Sequence, residues 1–110
     1  MISDTVKEYS ENIVKLHDGN SFQDLKKLIS DKVFAMNDSW FTEDRYCEVC
    51  EHIEKNVGVL SKLAFIDKLS QGEKILTLWK AQYSGSDMEV LWSICFENDF
   101  SKVVGLHVEW

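Results

Sequence analysis

The sequence predicts an α+β fold in which N-terminal helices pack on one face of a curved antiparallel sheet of about four strands. Before residue 57, apolar side chains recur every three or four positions, which is typical of amphipathic helices. After it, apolar and polar side chains alternate, which is typical of half-buried strands. With 110 residues, of which 45% are hydrophobic, the chain is long enough for one hydrophobic core. We therefore expect a single domain over residues 1–110.

Three helices account for the first half of the chain. Thr42 is predicted to cap the third helix, with Glu43 and Asp44 in its first turn. Residues 33–36 are predicted to form a short strand or an extended stretch, and His17 and His52 are predicted to lie on helix surfaces. The predicted buried stripes are Val6, Tyr9, Ile13 and Leu16 in the first helix, Phe22, Leu25, Leu28 and Ile29 in the second, and Tyr46, Val49, Cys50, Ile53 and Val57 in the third.

Four strands account for the second half. The turn-forming segment 84–87 separates the second strand from the third, so the two strands are expected to form an antiparallel hairpin. This hairpin places Trp79 opposite Trp92 on the apolar side of the sheet, because strand side chains alternate between faces. The same register pairs Ala81 with Val90 and Thr77 with Ile94. The predicted strands are residues 59–69, 75–83, 88–96 and 102–110.

The C-terminal hairpin carries a resemblance to a known family. Its residues 90–99 form a strand that ends in an acidic turn, and Lys102, Val103, Val104, Gly105 and Leu106 begin the next strand. Together with the preceding helices, this pattern resembles the nuclear transport factor 2-like (cystatin-like cone) superfamily, in its small uncharacterised bacterial type. The resemblance implies a single cone-shaped domain with a pocket between sheet and helices. Members include isomerases, dehydratases, polyketide cyclases, transport adaptors and immunity proteins, so the resemblance does not imply one function.

Aromatic side chains indicate where a pocket would lie. Large aromatic residues line pockets for flat or apolar ligands, although they also fill the core of a small domain. The candidate ligand-binding residues are Trp40, Tyr46, Trp79 and Trp92. The first functional hypothesis is therefore a non-catalytic domain that binds a small molecule or a protein through an aromatic-lined pocket. The alternatives are a toxin-neutralising immunity protein with an acidic binding surface, and a small isomerase- or cyclase-type enzyme.

Charge and composition exclude several partners. The net charge of −7 disfavours nucleic acid, because phosphates would be repelled. No apolar run approaches the ~20 residues that a membrane-spanning helix requires, so no membrane partner is expected. The first residues lack the basic and apolar stretches of a secretory signal, and three cysteines fit a reducing compartment. These features together predict a cytoplasmic protein.

Candidate catalytic and metal-binding residues are few. Cys47 and Cys50 share a helix face, but His52 lies ~140° around the axis from Cys47, so four zinc ligands do not converge. No metal site and no cofactor are expected. Asp67 is either a general base with a raised pKa in a pocket or an exposed carboxylate. His107 faces away from the tryptophan side unless the last strand shifts by one residue. No acid–base pair has convincing spacing. The sequence therefore favours a non-enzymatic function over an enzymatic one.

The outer face of the predicted sheet is unusually apolar. Leu76, Leu78, Leu91 and Cys95 lie out of phase with the tryptophans and therefore point away from the helices. A soluble protein rarely leaves such a patch uncovered. We therefore expect a homodimer formed through this face of the sheet. The alternative is that a helix of the same chain covers it.

Overall fold

The structure, a computed structural model, describes residues 4–17, 22–34 and 41–109. Helices precede strands along the chain, and the four strands form one antiparallel, curved and unclosed sheet in the order β1-β2-β3-β4. This arrangement confirms the predicted α+β fold class. The elements are α1 (Asp4–Lys15), α2 (Phe22–Lys26), α3 (Asp31–Phe34), α4 (Glu43–Asn56), β1 (Leu60–Gln71), β2 (Lys74–Tyr83), β3 (Val90–Glu97) and β4 (Val103–Glu109).

The two longer helices form where the apolar spacing predicts them. Helix α1 buries Val6, Ile13 and Val14, and α4 buries Ile53, in the same hydrophobic core. Thr42 caps α4 as predicted, because its Oγ1 accepts a hydrogen bond from the backbone N–H of Arg45 at 3.2 Å. This cap fixes the start of α4, and hence the place where its first turn meets the sheet.

Helix α2 is shorter than the predicted second helix, because the chain after it pairs with the sheet. Ile29 forms a parallel bridge with Val103 at the start of β4. The backbone N–H of Ser30 donates to the carbonyl of Val103 at 2.8 Å, and the N–H of Val103 donates to the carbonyl of Leu28 at 2.9 Å. The following residues form the short helix α3, so the prediction of a strand or extended stretch at residues 33–36 is wrong for residues 33 and 34.

The central hairpin has the predicted register. Trp79 pairs with Trp92, and the two neighbouring predicted pairs, Ala81 with Val90 and Thr77 with Ile94, are also formed. Both tryptophans are almost fully buried and contribute to the single described cluster of core residues, to which α1, α4 and all four strands contribute. The helices therefore lie on the tryptophan side of the sheet.

Strand β4 differs from strict alternation at one position. His107 pairs with Ser93 and Leu106 pairs with Ile94, but Phe96 pairs with Val103 because the register shifts between Cys95 and Phe96. An extra residue in one strand reverses the side on which the following residues lie. Val103 is consequently fully buried on the core side, where alternation predicts Val104.

No helix in the described part of the chain has both the length and the apolar character needed to cross a membrane.

Candidate functional site

A small cavity lies where the end of α1, the first turns of α4 and strands β3 and β4 meet. Its volume is about 70 Å³. Liquid water occupies about 30 Å³ per molecule, so the cavity has room for a few waters or for part of one aromatic ring. Its described walls are His17 after α1, Phe41, Arg45, Tyr46 and Val49 at the start of α4, and Trp92, Leu106, His107 and Val108 on the sheet.

Aromatic rings form the inner part of the cavity. The ring centroid of His17 lies 5.0 Å from that of Tyr46 and 4.9 Å from that of Trp92. Phe41 contacts Tyr46 at 6.4 Å, edge to face, and stacks on Phe22 at 5.0 Å. Centroid distances in this range are those of favourable ring contacts. The cluster therefore packs the histidine ring between the helices and the sheet.

The polar atoms of the two largest aromatic walls already have partners. The Tyr46 hydroxyl donates to the backbone carbonyl of Leu16. The indole N–H of Trp92 donates to the hydroxyl of Tyr83 at 2.9 Å. Because these polar tips are engaged within the protein, the apolar carbon surfaces of the rings are what Tyr46 and Trp92 offer to the cavity.

His17 is the polar group inside the cavity. It is only 4% exposed, so its prediction as a helix-surface residue is wrong. Burial lowers the pKa of His17 to about 4, and the ring is therefore neutral near pH 7. Its Nδ1 lies 3.0 Å from the carbonyl oxygen of Ile13. A carbonyl can only accept, so Nδ1 carries the proton and Nε2 is a hydrogen-bond acceptor.

The predicted ligand-binding residues have different positions. Tyr46 and Trp92 both line the cavity, whereas Trp40 lies outside the described residues. Trp79 is fully buried, does not line this cavity, and contacts Phe65 with centroids 5.3 Å apart. Its indole N–H donates to a threonine hydroxyl of the same strand. In this structure Trp79 belongs to the core. A place in the core was the alternative to pocket lining for each of the large aromatic residues.

Sequence reasoning missed several cavity residues. The sequence did indicate one of them: His17 follows Ile13 by four positions and therefore continues the buried face of α1. Arg45 and Phe41 flank the Thr42 cap, and a cap fixes the direction of the side chains beside it. The cavity residues that were not among the candidate ligand-binding residues are His17, Phe41, Arg45, Val49, Leu106, His107 and Val108.

The candidate acid–base residues do not meet. Asp67 is exposed and pairs with Leu78, so it lies on the outer face of the sheet, away from the cavity. Its carboxylate accepts the backbone N–H of Lys68 at 2.8 Å. His107 pairs with Ser93 on that face as well, although it reaches the rim of the cavity at the edge of the sheet. Asp67 is therefore not placed to act on a group bound in the cavity.

Cysteines show no metal-site geometry. None of Cys47, Cys50 and Cys95 is part of a disulfide bond. In the described ranges, no three His, Cys, Asp or Glu side chains are grouped so as to hold a metal ion. Burial raises the pKa of Cys95, which opposes formation of the nucleophilic thiolate. The arrangement suits binding of an apolar group better than nucleophilic or metal-assisted chemistry.

A second and larger hollow lies at the opposite end of the sheet. Its volume is about 520 Å³, and it is bounded by α3, the β1–β2 turn and the outer side of β3 and β4. Its walls mix charges of both signs, with Lys32 and Lys74 beside Glu73 and Glu97. It has no aromatic wall among the described residues, unlike the cavity around His17. We therefore regard the smaller cavity as the candidate site.

Comparison with known proteins gives no further assignment. No model of a known protein family matches this chain, and no curated protein matches it at a significant level.

Proposed function

We propose that this protein is a non-catalytic binding domain whose cavity between α1, α4 and the β3–β4 edge takes a small aromatic or apolar group. The observation that carries the proposal is the cavity itself, which has aromatic walls around one neutral, buried histidine. Binding sites for small molecules are mostly apolar and contain a few polar groups that set orientation. The cavity around His17 has this composition.

Size limits the ligand. A cavity of about 70 Å³ is smaller than the ~150 Å³ cavity that encloses benzene, so only part of a ring can enter without rearrangement. Steroids and polyketides are far larger than this. The small volume therefore supports a single-ring ligand, or one inserted side chain of a partner protein, over the substrates of isomerase- or cyclase-type enzymes.

The wider biological setting is part of the same proposal. The order of elements supports membership of the nuclear transport factor 2-like superfamily, and the three cysteines, which fit a reducing compartment, support a cytoplasmic location. The apolar outer face supports a homodimer, which would leave the cavity on the helix side open. The acidic charge keeps a toxin-neutralising role as an alternative, in which a basic partner would bind the helix surface.

A titration followed by nuclear magnetic resonance tests the proposal. Phenol, benzoate and benzyl alcohol are added separately to the protein labelled with ¹⁵N. We expect at least one of them to shift the indole signal of Trp92 in a saturable manner, because its ring forms a wall of the cavity. The indole signal of Trp79 serves as the internal control and should move less, because this side chain is enclosed in the core.

A matched pair of variants locates the effect. Val49→Phe fills the cavity and should abolish the shifts, whereas Val104→Phe adds the same volume at the second hollow and should preserve them. If no compound causes saturable shifts, or if Val49→Phe leaves them intact, the cavity is not a binding site.

A further inference from the structure

We infer that a second copy of this chain packs on the outer face of the sheet in one orientation, with Leu69 of each copy on Gly105 of the other. The twofold axis of this pair runs parallel to the strands, so β1 of one copy lies over β4 of the other, and β2 lies over β3. The inference rests on the homodimer that belongs to the proposed function, and it specifies how the two copies meet.

The outer face carries an apolar row that is high at one end and low at the other. The row consists of four paired positions, one on each strand from β1 to β4, namely Leu69, Leu76, Cys95 and Gly105. At the β1 end, 47% of the surface of Leu69 is exposed. At the β4 end, Cys95 and Gly105 line the larger hollow, of about 520 Å³. Gly105 has no side chain, and a β-carbon there would lie only 3.1 Å from the β-carbon of Cys95.

Two symmetric arrangements place this row against the same row of a second copy. A twofold axis along the row sets Leu69 against Leu69 and hollow against hollow, so the hollows stay unfilled. A twofold axis along the strands reverses the row, so each Leu69 enters the hollow of the other copy and each Leu76 lies on Cys95. An interface between identical surfaces must be complementary to itself, and filled contacts gain the dispersion energy that unfilled ones lose. Shape therefore favours the axis along the strands.

Charges on the outer face favour the same orientation. The lysines at outward positions belong to β1 and β2, whereas the glutamates belong to β3, to β4 or to the residue before β3. An axis along the strands lays the basic half of one copy over the acidic half of the other, and sets Lys74 over Glu97 of the second copy. Complementary charges across an interface fix its orientation. The residues concerned are Lys62, Lys74 and Lys80, and Glu89, Glu97 and Glu109.

The acidic residue in the basic half, Asp67, meets a complementary group as well. Asp67 and His107 are exposed and occupy the two ends of the row beside the apolar row, with Leu78 and Ser93 between them. Reversal of the row sets Asp67 over His107 of the second copy, where an imidazole N–H donates to a carboxylate in either charge state. Within one chain, three strand spacings, or about 14 Å, separate the two residues. Any coupling between them therefore arises between chains.

A charge exchange at this pair tests the orientation, with the dissociation constant of the dimer measured by sedimentation equilibrium. His107→Glu sets a carboxylate over Asp67 in both symmetric contacts and should weaken the dimer by at least about tenfold. Addition of Asp67→Lys to the same chain should restore the original constant, because opposite charges then meet. His107→Gln keeps an N–H donor and is the matched control, which should change the constant little.

Variants of the row test its shape. Leu69→Ala removes the protrusion and should weaken the dimer by at least about tenfold, because two leucine side chains lose their burial. Met88→Ala removes as many side-chain atoms from an exposed residue outside the strands and should leave the dimer unchanged. Val104→Phe fills the hollow and should weaken the dimer, whereas Val49→Phe fills the cavity around His17 and should not. Circular dichroism confirms that each variant is folded.

The outcomes separate the orientation from the homodimer itself. If the unmodified protein is a monomer at micromolar concentration, the homodimer and the inference both fail. A dimer that His107→Glu and Leu69→Ala leave intact overturns the orientation, while the homodimer stands. Failure of Asp67→Lys to restore the His107→Glu dimer also overturns it, because another group then lies opposite His107.

Discussion

At the scale of single residues, His17 links the folding of the domain to its candidate site. The side chain lies between Tyr46 and Trp92 and is held by the carbonyl of Ile13. A neutral imidazole fits this buried position, whereas an imidazolium would lose its hydration there. Glu54, which lines a neighbouring hollow together with His17, is exposed, and desolvation remains the largest influence on the pKa of His17. The stability of the domain therefore includes a contribution that depends on the protonation state of His17.

The first prediction concerns acid stability. The pKa of His17 is about 4 in the folded protein, against an ordinary value of 6.5, so the unfolded chain binds the proton more readily. The stability that results is complete above pH 6.5 and is lost as the pH falls from 6.5 to 4. A shift of this size corresponds to about 3 kcal/mol at full protonation, and about 2 kcal/mol of it should be lost by pH 5. Urea unfolding at pH 7.5 and pH 5 measures this loss.

Histidine variants isolate that effect from the carboxylates, which also titrate in acid. His17→Phe should unfold with a smaller difference in free energy between pH 7.5 and pH 5 than the unmodified protein. His107→Phe, at an exposed position, should retain the full difference. Equal pH dependence in all three proteins would show that His17 does not titrate during unfolding.

The site could be predicted only in part from single residues. Tyr46 and Trp92 were found because bulky aromatic residues on facing elements tend to meet. His17 was missed because its place near the end of α1 suggested a favourable position relative to the helix dipole, and that argument carried more weight than its spacing from Ile13. Arg45 was missed because exposed cations are common, and only the fold shows which of them stands beside a cavity.

At the scale of elements, a hydrogen-bond relay joins strands β2 and β3 behind the tryptophan pair. The hydroxyl of Thr77 donates to the carbonyl of Ile94 at 2.7 Å and accepts from the indole N–H of Trp79 at 2.8 Å. All of these groups are buried. Thr77 thus satisfies a side-chain donor and a backbone acceptor that water cannot reach.

The second prediction follows from this relay. Thr77→Val keeps the shape of the side chain but leaves the Trp79 indole N–H without its partner, which should reduce the free energy of unfolding by about 1–3 kcal/mol. Thr77→Ser keeps the hydroxyl and should preserve the relay, losing only the contribution of one methyl group. Urea denaturation of both variants measures the difference. A valine variant as stable as the serine variant would mean that the relay contributes nothing.

Strand pairing was more predictable than strand irregularity. Alternation and the turn segment 84–87 were enough to pair Trp79 with Trp92, because a shift by one residue would expose the apolar face. The shift beside Phe96 was not predictable, because both Val103 and Val104 suit a buried position and alternation cannot choose between them. Likewise, α2 ends early because of a contact with β4 that is remote in sequence.

At the scale of the whole molecule, one face of the sheet is covered by helices and the other carries an apolar row. On the outer side, four paired positions form a row across the four strands, namely Leu69, Leu76, Cys95 and Gly105. The first residue of this row, Leu69, leaves 47% of its surface exposed to solvent. A face of this kind in a soluble domain is commonly buried by association.

The third prediction is that the protein is a homodimer through this face. Light scattering at micromolar concentration should give twice the mass of one chain. Leu78→Glu places a charge in the middle of the face and should give a monomer, because a buried unpaired carboxylate is costly. Met88→Glu is the matched control, since this exposed residue lies outside the strands and its variant should remain dimeric. A monomeric unmodified protein would contradict the prediction, and a dimeric Leu78→Glu variant would move the interface elsewhere.

Because the sheet is not closed, it has an outer strand, β1, to which a strand of another molecule could add. Strand β1 is an outer strand, so one row of its backbone N–H and carbonyl groups has no neighbouring strand in the described part of the chain. Such a row can template fibre growth. Here the pairing is interrupted at Ile66, and the charged side chains of Lys62 and Lys68 stand along the strand. An interrupted and charged edge resists the addition of a flat foreign strand, so β1 is a poor template for further strand pairing.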